Sequence, residues 1–229
     1  MSPKPAVVAI DGPAGSGKST VARLLARRLG VPYLDTGAMY RALGLLARDR
    51  GIDPDDAVAA GALAAGSALE VRLGADGAAE LLVGGAPVDE RIREPEVGAL
   101  TSRLAVHTAV RARMVALQRA FLQRHGGVLE GRDIGTRVVP ETPWKFFLDA
   151  EPGVRAERRL REMRERGMVI EAEALAREIA ERDARDRSRP ESPLAAAADA
   201  DYVDTTGLSL EQVVDRLERR IRARGDATS

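Results

Sequence analysis

A glycine-rich segment near the start of the sequence carries the residues best suited to chemistry. Gly12–Ser19 fits the pattern G-x-x-x-x-G-K-S, and its glycines let the backbone approach a ligand closely. In such a loop, successive backbone N–H groups point inward and form a nest for anions. Lys18 adds a mobile positive charge for β- and γ-phosphates, and Ser19 offers a hydroxyl to Mg²⁺. The segment therefore predicts a loop that binds a nucleoside triphosphate.

The residues on either side of the loop fit this interpretation better than they fit a chance glycine-rich turn. Ala6–Ile10 is a short apolar run typical of a buried strand, and Thr20–Ala26 begins a segment with helical spacing. Because the loop opens into a helix, unpaired N–H groups and the positive end of the helix dipole would face the phosphates. Lys18 is one of only three lysines among 35 basic residues, and arginine could not replace its compact ammonium here.

Two later strands are also followed by polar residues. Thr36 and Arg41 come after the second predicted strand, and Arg132 and Asp133 come after the third, residues 127–130. Ligands of open parallel sheets bind beyond the carboxyl ends of the strands, so we expect these residues on the same rim as the loop. For Arg41, a solvated position on a helix is an equal alternative.

Residues 152–189 are dense in charge and predict two helices divided near Gly167. Arg182, Asp186 and Arg189 are spaced at i, i+4 and i+7, so they share one helix face. A face of mutually paired charges is one interpretation. With a phosphate loop upstream, we favour a phosphate clamp, because guanidinium groups bind phosphates bidentately.

Five short strands alternate with helices, which predicts an α/β fold with a three-layer, parallel, five-stranded sheet of the phosphate-loop type. Residues 69–88 interrupt the alternation with a predicted antiparallel hairpin and a third short strand, which we assign to an inserted lobe. Residues 151–189 would form a helical lid. The fourth strand ends at Asp149, which could hold a metal-bound water or cap the next helix; capping is the favoured interpretation.

The composition excludes several classes of protein. The 35 basic and 35 acidic residues balance, so the net charge indicates neither a nucleic acid nor a membrane as partner. The absence of cysteine excludes disulfides and thiolate metal sites. No apolar run approaches the length of a membrane span, and the amino terminus lacks an apolar signal core, so we expect a cytoplasmic protein.

Five segments together resemble the bacterial cytidylate kinase family, a branch of the nucleoside monophosphate kinases. They are Ile10–Thr20, Leu34–Arg41, Glu130–Thr136, Phe147–Ala150 and Arg182–Arg189. The G-R-D-I-G-T and R-D-x-R-D-R motifs within them are much more specific than the phosphate loop, and the segments span nearly the whole chain. The resemblance implies a monomeric enzyme that transfers the γ-phosphoryl group of ATP, with Mg²⁺, to CMP or dCMP.

The resemblance also implies roles for individual residues. The triphosphate would be held by Gly12, Pro13, Ala14, Gly15, Ser16, Gly17, Lys18, Ser19 and Thr20, with Ser19 as the metal ligand. The acceptor nucleotide would be bound by Thr36, Arg41, Ser102, Arg111, Arg132, Asp133, Arg182, Asp186 and Arg189. The catalytic cations would be Lys18, Arg132, Arg182 and Arg189.

Within the acceptor set, the implied contacts differ. Arg41 and Arg132 would bind the acceptor phosphate, whereas Ser102, Arg111 and Asp133 would read the edge of the cytosine. Arg182 and Asp186 would approach the sugar, and Arg189 would join the phosphates during transfer. Two positions depart from the family pattern: Glu130 stands where relatives can have aspartate, and Thr36 where some have serine, which keeps the hydroxyl.

The resemblance predicts one kinase domain over residues 1–229. Its core would comprise about 1–37, 101–150 and 190–229, its monophosphate-binding lobe about 38–100 and its lid about 151–189.

Three alternatives stay open at this stage. Another small-molecule kinase with the same loop could act on UMP, dTMP or a non-nucleotide. A nucleotide-dependent switch is a second alternative, although the chain lacks the N-K-x-D tetrapeptide with which switch GTPases read guanine. An RNA-associated ATPase is the third, and the balanced charge and few aromatic residues give it little support.

Overall fold

The computed structural model of the chain describes residues 6–165, 167–189 and 191–226, the last three by their backbone only. Eight strands run in chain order: β1 Val7–Asp11, β2 Tyr33–Asp35, β3 Leu69–Leu73, β4 Ala79–Val83, β5 Ala86–Pro87, β6 Gly127–Gly131, β7 Trp144–Asp149 and β8 Asp201–Asp204. The α-helices are α1 Lys18–Leu29, α2 Thr36–Asp49, α3 Ala57–Gly66, α4 Pro95–Leu104, α5 Thr108–His125, α6 Pro152–Glu165, α7 Ala172–Ser188 and α8 Leu210–Asp226.

The larger sheet is parallel and has the strand order β2-β6-β1-β7-β8. In its register, Ile10 of β1 lies opposite Phe146 of β7, and Leu148 of β7 lies opposite Val203 of β8. These side chains are almost completely buried, as expected for parallel strands covered on both faces. The predicted five-stranded parallel fold is therefore confirmed.

The smaller sheet is antiparallel and has the order β3-β4-β5. Val71 lies opposite Leu81, and Val83 lies opposite Ala86, so the hairpin continues into a very short third strand. The alternating apolar and polar residues of β3 led to this prediction, which is confirmed.

Local capping determines where two helices begin and end. Gly30 follows α1 with φ 65° and ψ 32°, and its N–H bonds back to the carbonyls of Ala26 and Arg27. Ahead of α8, the Gln212 N–H donates to Ser209 Oγ at 3.2 Å and the Ser209 N–H donates to Gln212 Oε1 at 2.8 Å. The glycine cap and the capping box both follow from residue types within one turn of the helix end.

The chain divides into two compact units. One includes Val31–Gly127; the other includes Val7–Gly30 and the described residues from Val128 onward. The first unit has a core of fully buried side chains: Met39, Leu43, Leu69, Leu82, Leu104 and Met114. The second has its own: Ile10, Leu25, Leu129, Ile134, Phe146 and Leu148. The predicted limits of core, lobe and lid stay a prediction, and their parts at residues 1–5, 166, 190 and 227–229 lie outside the described residues.

Helices α6 and α7 pack against each other around a small apolar cluster of their own. Met163, Leu175 and Ile179 are its buried members, and the side chain of Ala14 in the glycine-rich loop packs against it. The helical hairpin is thus attached to the loop within the second unit, which bears on the site described next.

Candidate active site

The glycine-rich loop has a backbone that other residues could not adopt at two points. Gly12 has φ +155°, and a Cβ there would lie 2.0 Å from the carbonyl oxygen of Leu148. Gly15 has φ +75°, and a Cβ there would lie 2.6 Å from the carbonyl oxygen of Arg155. The loop therefore lies flush against the end of β7 and the start of α6, and α1 begins directly after it at Lys18.

Lys18 is a buried lysine whose charge depends on what the loop holds. Its Nζ donates to the carbonyl of Pro13 at 2.9 Å, and the residue is only 6% exposed. Burial lowers the pKa of Lys18 to about 7, and the positive charges of Arg132 and Arg182 act in the same direction. A polyphosphate beside Lys18 would favour the charged form, so the site is electrostatically suited to an anion.

Ser19 and Glu130 form the part of the site that could hold a metal ion. Ser19 Oγ donates to Glu130 Oε1 at 2.8 Å, and Glu130 is buried near the end of β6. A hydroxyl beside a carboxylate fits Mg²⁺, which prefers oxygen ligands and usually adds waters and substrate phosphates. No group of three or more His, Asp or Glu side chains suited to a metal occurs among the described residues. The donor set thus fits a metal that arrives with phosphates.

Asp149 makes contacts of a different kind. Its Oδ1 accepts from the N–H of Ala150 at 2.8 Å, and its Oδ2 accepts from the hydroxyl of Tyr202 at 3.2 Å. These contacts tie the end of β7 to the next residue and to β8. Neither is a bond to an N–H of the first turn of α6, so the helix-capping role favoured from the sequence stays a prediction.

A buried carboxylate joins two of the predicted phosphate-binding arginines. Asp186 on α7 is 1% exposed; its Oδ2 accepts from Arg132 Nε at 2.8 Å, and its Oδ1 accepts from Arg189. Burial alone would raise the pKa of Asp186, but the charges of Arg132, Arg189 and Arg182 hold it below its usual value. Asp186 therefore stays ionised and holds guanidinium groups from two segments together.

Arg182 lies one turn before Asp186 on α7 and is partly exposed. Its charge contributes to the lowered pKa values of both Lys18 and Asp186, so it lies near both side chains. Within the second unit, the structure thus brings together the loop, Lys18, Arg132, Arg182 and the residues around Asp186. Thr20, the last residue of the predicted triphosphate set, has an exposed side chain on α1.

Two residues that sequence reasoning missed connect the loop to the helical hairpin. The N–H of Ala14 donates to Asp183 Oδ1 at 3.3 Å, and Arg155 Nη1 donates to the Ala14 carbonyl at 3.0 Å. Arg155 and Asp183 also form a buried ion pair with each other. Asp183 lies inside the R-D-x-R-D-R motif, but no spacing rule pointed to a partner in the loop.

The remaining predicted acceptor residues belong to the first unit. Arg41 Nη2 donates to Asp35 Oδ2 at 2.9 Å, and Asp35 also caps α2 by accepting from the N–H of Ala38. Thr36, the first residue of α2, is buried. The pairing of Arg41 shows a helix arginine held by a carboxylate next to the strand end, where a phosphate could compete for it.

Ser102 lies on α4 and Arg111 lies on α5. Arg111 is 5% exposed; its guanidinium lies 5.8 Å from the ring centre of Tyr40, and its Nη1 donates to the carbonyl of Ala105 at 3.2 Å. Ser102 is equally buried, and its Oγ has no hydrogen-bond partner in the described part of the chain. A buried hydroxyl without a partner is costly, which is consistent with a ligand group completing its hydrogen bonding.

The parallel sheet, the loop between β1 and α1, and the arginines on a helical hairpin define a phosphate-loop kinase. Comparison with known proteins gives the family. The sequence profile of the family described as cytidylate kinase matches residues 8–223. The chain therefore belongs to the cytidylate kinase family, as the motifs predicted.

Two curated relatives agree with this assignment. A cytidylate kinase of Pelotomaculum thermopropionicum is 45% identical over 94% of this chain and 96% of the relative. A cytidylate kinase of Methylococcus capsulatus is 47% identical over 91% of this chain and 93% of the relative. Among solved structures, an uncharacterized protein from Eubacterium ventriosum covers 95% of this chain and 98% of its own, with a TM-score of 0.51 and 14% identity, which supports the fold alone. No described helix is both long and apolar enough to cross a lipid bilayer.

Proposed function

We propose that this member of the cytidylate kinase family transfers the γ-phosphoryl group of ATP to CMP or dCMP, giving ADP and CDP or dCDP. The observation that carries the proposal is the gathering of Lys18, Arg132 and Arg182 beside an anion-binding loop. Phosphoryl transfer has a loose transition state with charge on the equatorial oxygens, so positioned cations supply most of the catalysis.

The donor end of the reaction is assigned to the glycine-rich loop. Backbone N–H groups of the loop and of the first turn of α1 bind the phosphates. The mobile ammonium of Lys18 stabilises the negative charge that develops between the β- and γ-phosphates during transfer. Ser19 and Glu130 would hold Mg²⁺, which would supply positive charge to neutralise the phosphates. Asp186 binds Arg132 and Arg189 in the structure. When the nucleotides bind, these two arginines would exchange the carboxylate of Asp186 for the reacting phosphates.

No protein nucleophile or strong general base is required. An oxygen of the acceptor phosphate attacks the γ-phosphorus while the bond to the β-phosphate oxygen breaks and ADP departs. The acceptor phosphate is largely ionised at neutral pH because its second pKa is about 6. The protein therefore has to orient the two nucleotides, exclude water and stabilise negative charge.

Recognition of the acceptor is assigned by the family resemblance. Arg41 and Arg132 would bind its phosphate, with Thr36 beside them, and Ser102, Arg111 and Asp133 would contact the cytosine. A carboxylate accepts a hydrogen bond from the exocyclic amine of cytosine, whereas uracil carries an oxygen at that position. An ionised Asp133 should therefore disfavour UMP.

The test is a coupled ADP-release assay with ATP and Mg²⁺ across CMP, dCMP, UMP, dTMP and shikimate as a non-nucleotide acceptor. We expect CMP and dCMP to give the highest kcat/KM, and Asp133→Ala to lower kcat/KM for CMP far more than it weakens ATP binding. Highest turnover with UMP, dTMP or shikimate would contradict the proposal. Equal losses of CMP and ATP binding in Asp133→Ala would contradict base reading by this carboxylate.

We further propose that the enzyme works as a monomer in the cytoplasm, without a nucleic-acid or membrane partner, and that residues 38–100 and 151–189 act as its monophosphate-binding lobe and lid. The balanced charge supports the absence of a polyanionic partner. Light scattering after gel filtration tests the oligomeric state, and a mass of two chains would contradict it.

A further inference from the structure

Asp11, the last residue of β1, is a buried carboxylate that the mechanism above does not use. It is 4% exposed, and both of its oxygens accept from the backbone of a segment 123 positions or more away. Oδ1 accepts from the N–H of Ile134 and Oδ2 accepts from the N–H of Gly135, each at 2.8 Å. One side chain thus satisfies two consecutive N–H groups of another segment.

Those two N–H groups begin a single π-helical turn, Ile134–Val138, which follows Arg132 and Asp133 directly. The turn is closed by the N–H groups of Arg137 and Val138, which donate to the carbonyl of Asp133 at 2.8 and 3.3 Å. The first N–H groups of any helical turn lack partners within it. Asp133 stands where a capping side chain usually supplies them, yet it makes no side-chain cap bond here. Asp11 fills the capping role instead.

The arrangement leaves little freedom around the turn. A Cβ added to Gly135 would lie 3.2 Å from Lys145 Cδ and 3.4 Å from Asp11 Oδ2. Burial raises the pKa of Asp11 to about 7, although both backbone hydrogen bonds act against the rise. The charged groups that face it are Asp133, which adds to the rise, and Arg132, which opposes it. A carboxylate kept in so unfavourable a place often serves a functional site.

We propose that Asp11 is a positioning residue. By capping the Ile134–Val138 turn from β1, it orients Arg132 and Asp133 toward the acceptor nucleotide, and the turn does not need the Asp133 side chain as its cap. This inference rests on the proposed function, because the orientation matters only if Arg132 and Asp133 meet the acceptor. It does not require Asp11 to touch either nucleotide.

The experiment compares Asp11→Asn with a matched control in the same strand pair. The asparagine keeps the shape but retains one acceptor oxygen for two N–H donors, so one end of the cap is lost. Thr142→Val is the control, because the buried Thr142 Oγ1 donates to the carbonyl of Val7 at the other end of β1. It removes that hydrogen bond and the one that Thr142 Oγ1 accepts from the N–H of Trp144, without touching the turn.

We expect Asp11→Asn to lower kcat/KM for CMP by about tenfold or more and to reduce the preference for CMP over UMP. The Kd of ATP measured without acceptor should change by less than about threefold. Amide hydrogen exchange at Ile134 and Gly135 should become faster. Thr142→Val should keep the kinetic constants of the unaltered enzyme even where it lowers the melting temperature as much.

Two results would overturn the inference: an unchanged kcat/KM and CMP preference in folded Asp11→Asn, or a loss of ATP affinity equal to the loss for CMP. If Asp11→Asn does not fold, Gly135→Ala decides, because its added methyl would press on Lys145 and on Asp11 Oδ2 at 3.2–3.4 Å while Asp11 itself remains. A several-fold loss in kcat/KM for CMP with normal ATP affinity supports the inference, and unchanged kinetics overturn it. If the unaltered enzyme fails to phosphorylate CMP, the proposed function fails instead.

Discussion

Arg155 and Asp183 form a buried ion pair whose two members also hold the backbone of one residue in the glycine-rich loop. Arg155 Nη1 donates to the carbonyl of Ala14, and Asp183 accepts from the N–H of Ala14. Arg155 Nε donates in addition to the carbonyl of Ala150 at 3.1 Å. Because Asp183 follows Arg182 directly on α7, the pair connects the position of the loop to that of an arginine proposed to be catalytic.

Asp183→Asn should therefore weaken both the fold and the reaction. Arg155 would remain buried with only Asp149 Oδ1, 3.7 Å from its Nε, as counter-ion. Breaking a buried ion pair destabilises a protein by about 3–5 kcal/mol, and the contact with Asp149 should keep the loss at the lower end. We expect a lower free energy of unfolding in urea and a lower kcat, with a smaller change in the KM for CMP. Glu157→Gln is the control, because it breaks an exposed pair with Arg161 on α6. A normal kcat in folded Asp183→Asn would show that the ion pair is structural only.

Lys18→Ala should abolish most of the activity without harming the fold. Loss of one cation at the transferring phosphoryl group costs roughly 100- to 1000-fold in kcat. Stability should hold or rise, since the ammonium is buried at a cost in the absence of phosphates. Lys145→Met tests the other buried lysine, which donates to Asp199 and to the carbonyl of Pro140. The Lys145→Met variant should be less stable and keep its kcat. Near-normal turnover in Lys18→Ala would refute the assignment of Lys18 to the phosphate site.

Glu130→Gln should change how the enzyme depends on Mg²⁺. The glutamine can still accept from Ser19 Oγ, but it removes the carboxylate charge beside the metal site. We expect the Mg²⁺ concentration for half-maximal activity to rise by about tenfold. Calorimetry of ATP binding separates the effects: affinity should fall with Mg²⁺ present and stay the same or rise with EDTA. Equal Mg²⁺ dependence of both proteins would exclude Glu130 from the metal site.

The pH dependence of stability offers a test of the burial of Asp11. Its pKa in the folded protein is raised from 3.8 to about 7, so between these values the folded state binds more protons than the unfolded state. This group therefore lowers the free energy of unfolding as the pH rises from about 4 to about 7, by a few kcal/mol in total, and adds nothing further above that range.

Asp11→Asn lacks that titration. The difference in unfolding free energy, variant minus unaltered protein, should therefore become more positive from about pH 5 to pH 7 and then level off. Urea unfolding at several pH values measures it, with Thr142→Val as the pH-independent control. A constant difference for Asp11→Asn would mean that the carboxyl group titrates normally.

Much of the fold could be predicted because its signals are local. The apolar runs of β1 and β7, the glycine after α1 and the capping box of α8 each act within a few residues. The loop Gly12–Ser19 could also be predicted, because its residue pattern specifies the conformation of its backbone. The hairpin of β3 and β4 could be predicted from the alternation of apolar and polar residues in β3 and from the turn residues between the two strands.

The contacts that complete the site could not be predicted in this way. Asp11 meets Ile134, and Ala14 meets Asp183, across 123 and 169 positions of sequence. Such pairs depend on how strands and helices pack, and no residue spacing encodes that. The metal assignment shows the same limit: Asp149 resembles a metal-binding acid by its place after a strand, yet Glu130 is the carboxylate beside Ser19.

Asp186 has a consequence for how tightly phosphates can bind. In the structure Arg132 and Arg189 are already withdrawn from most of the solvent, with an internal anion between them. If these arginines bind phosphate as proposed, an arriving phosphate would exchange one negative partner for another and would not have to remove water from exposed guanidinium groups. Such an exchange favours rapid release of product over tight retention, which suits an enzyme whose product carries even more phosphate than its substrate.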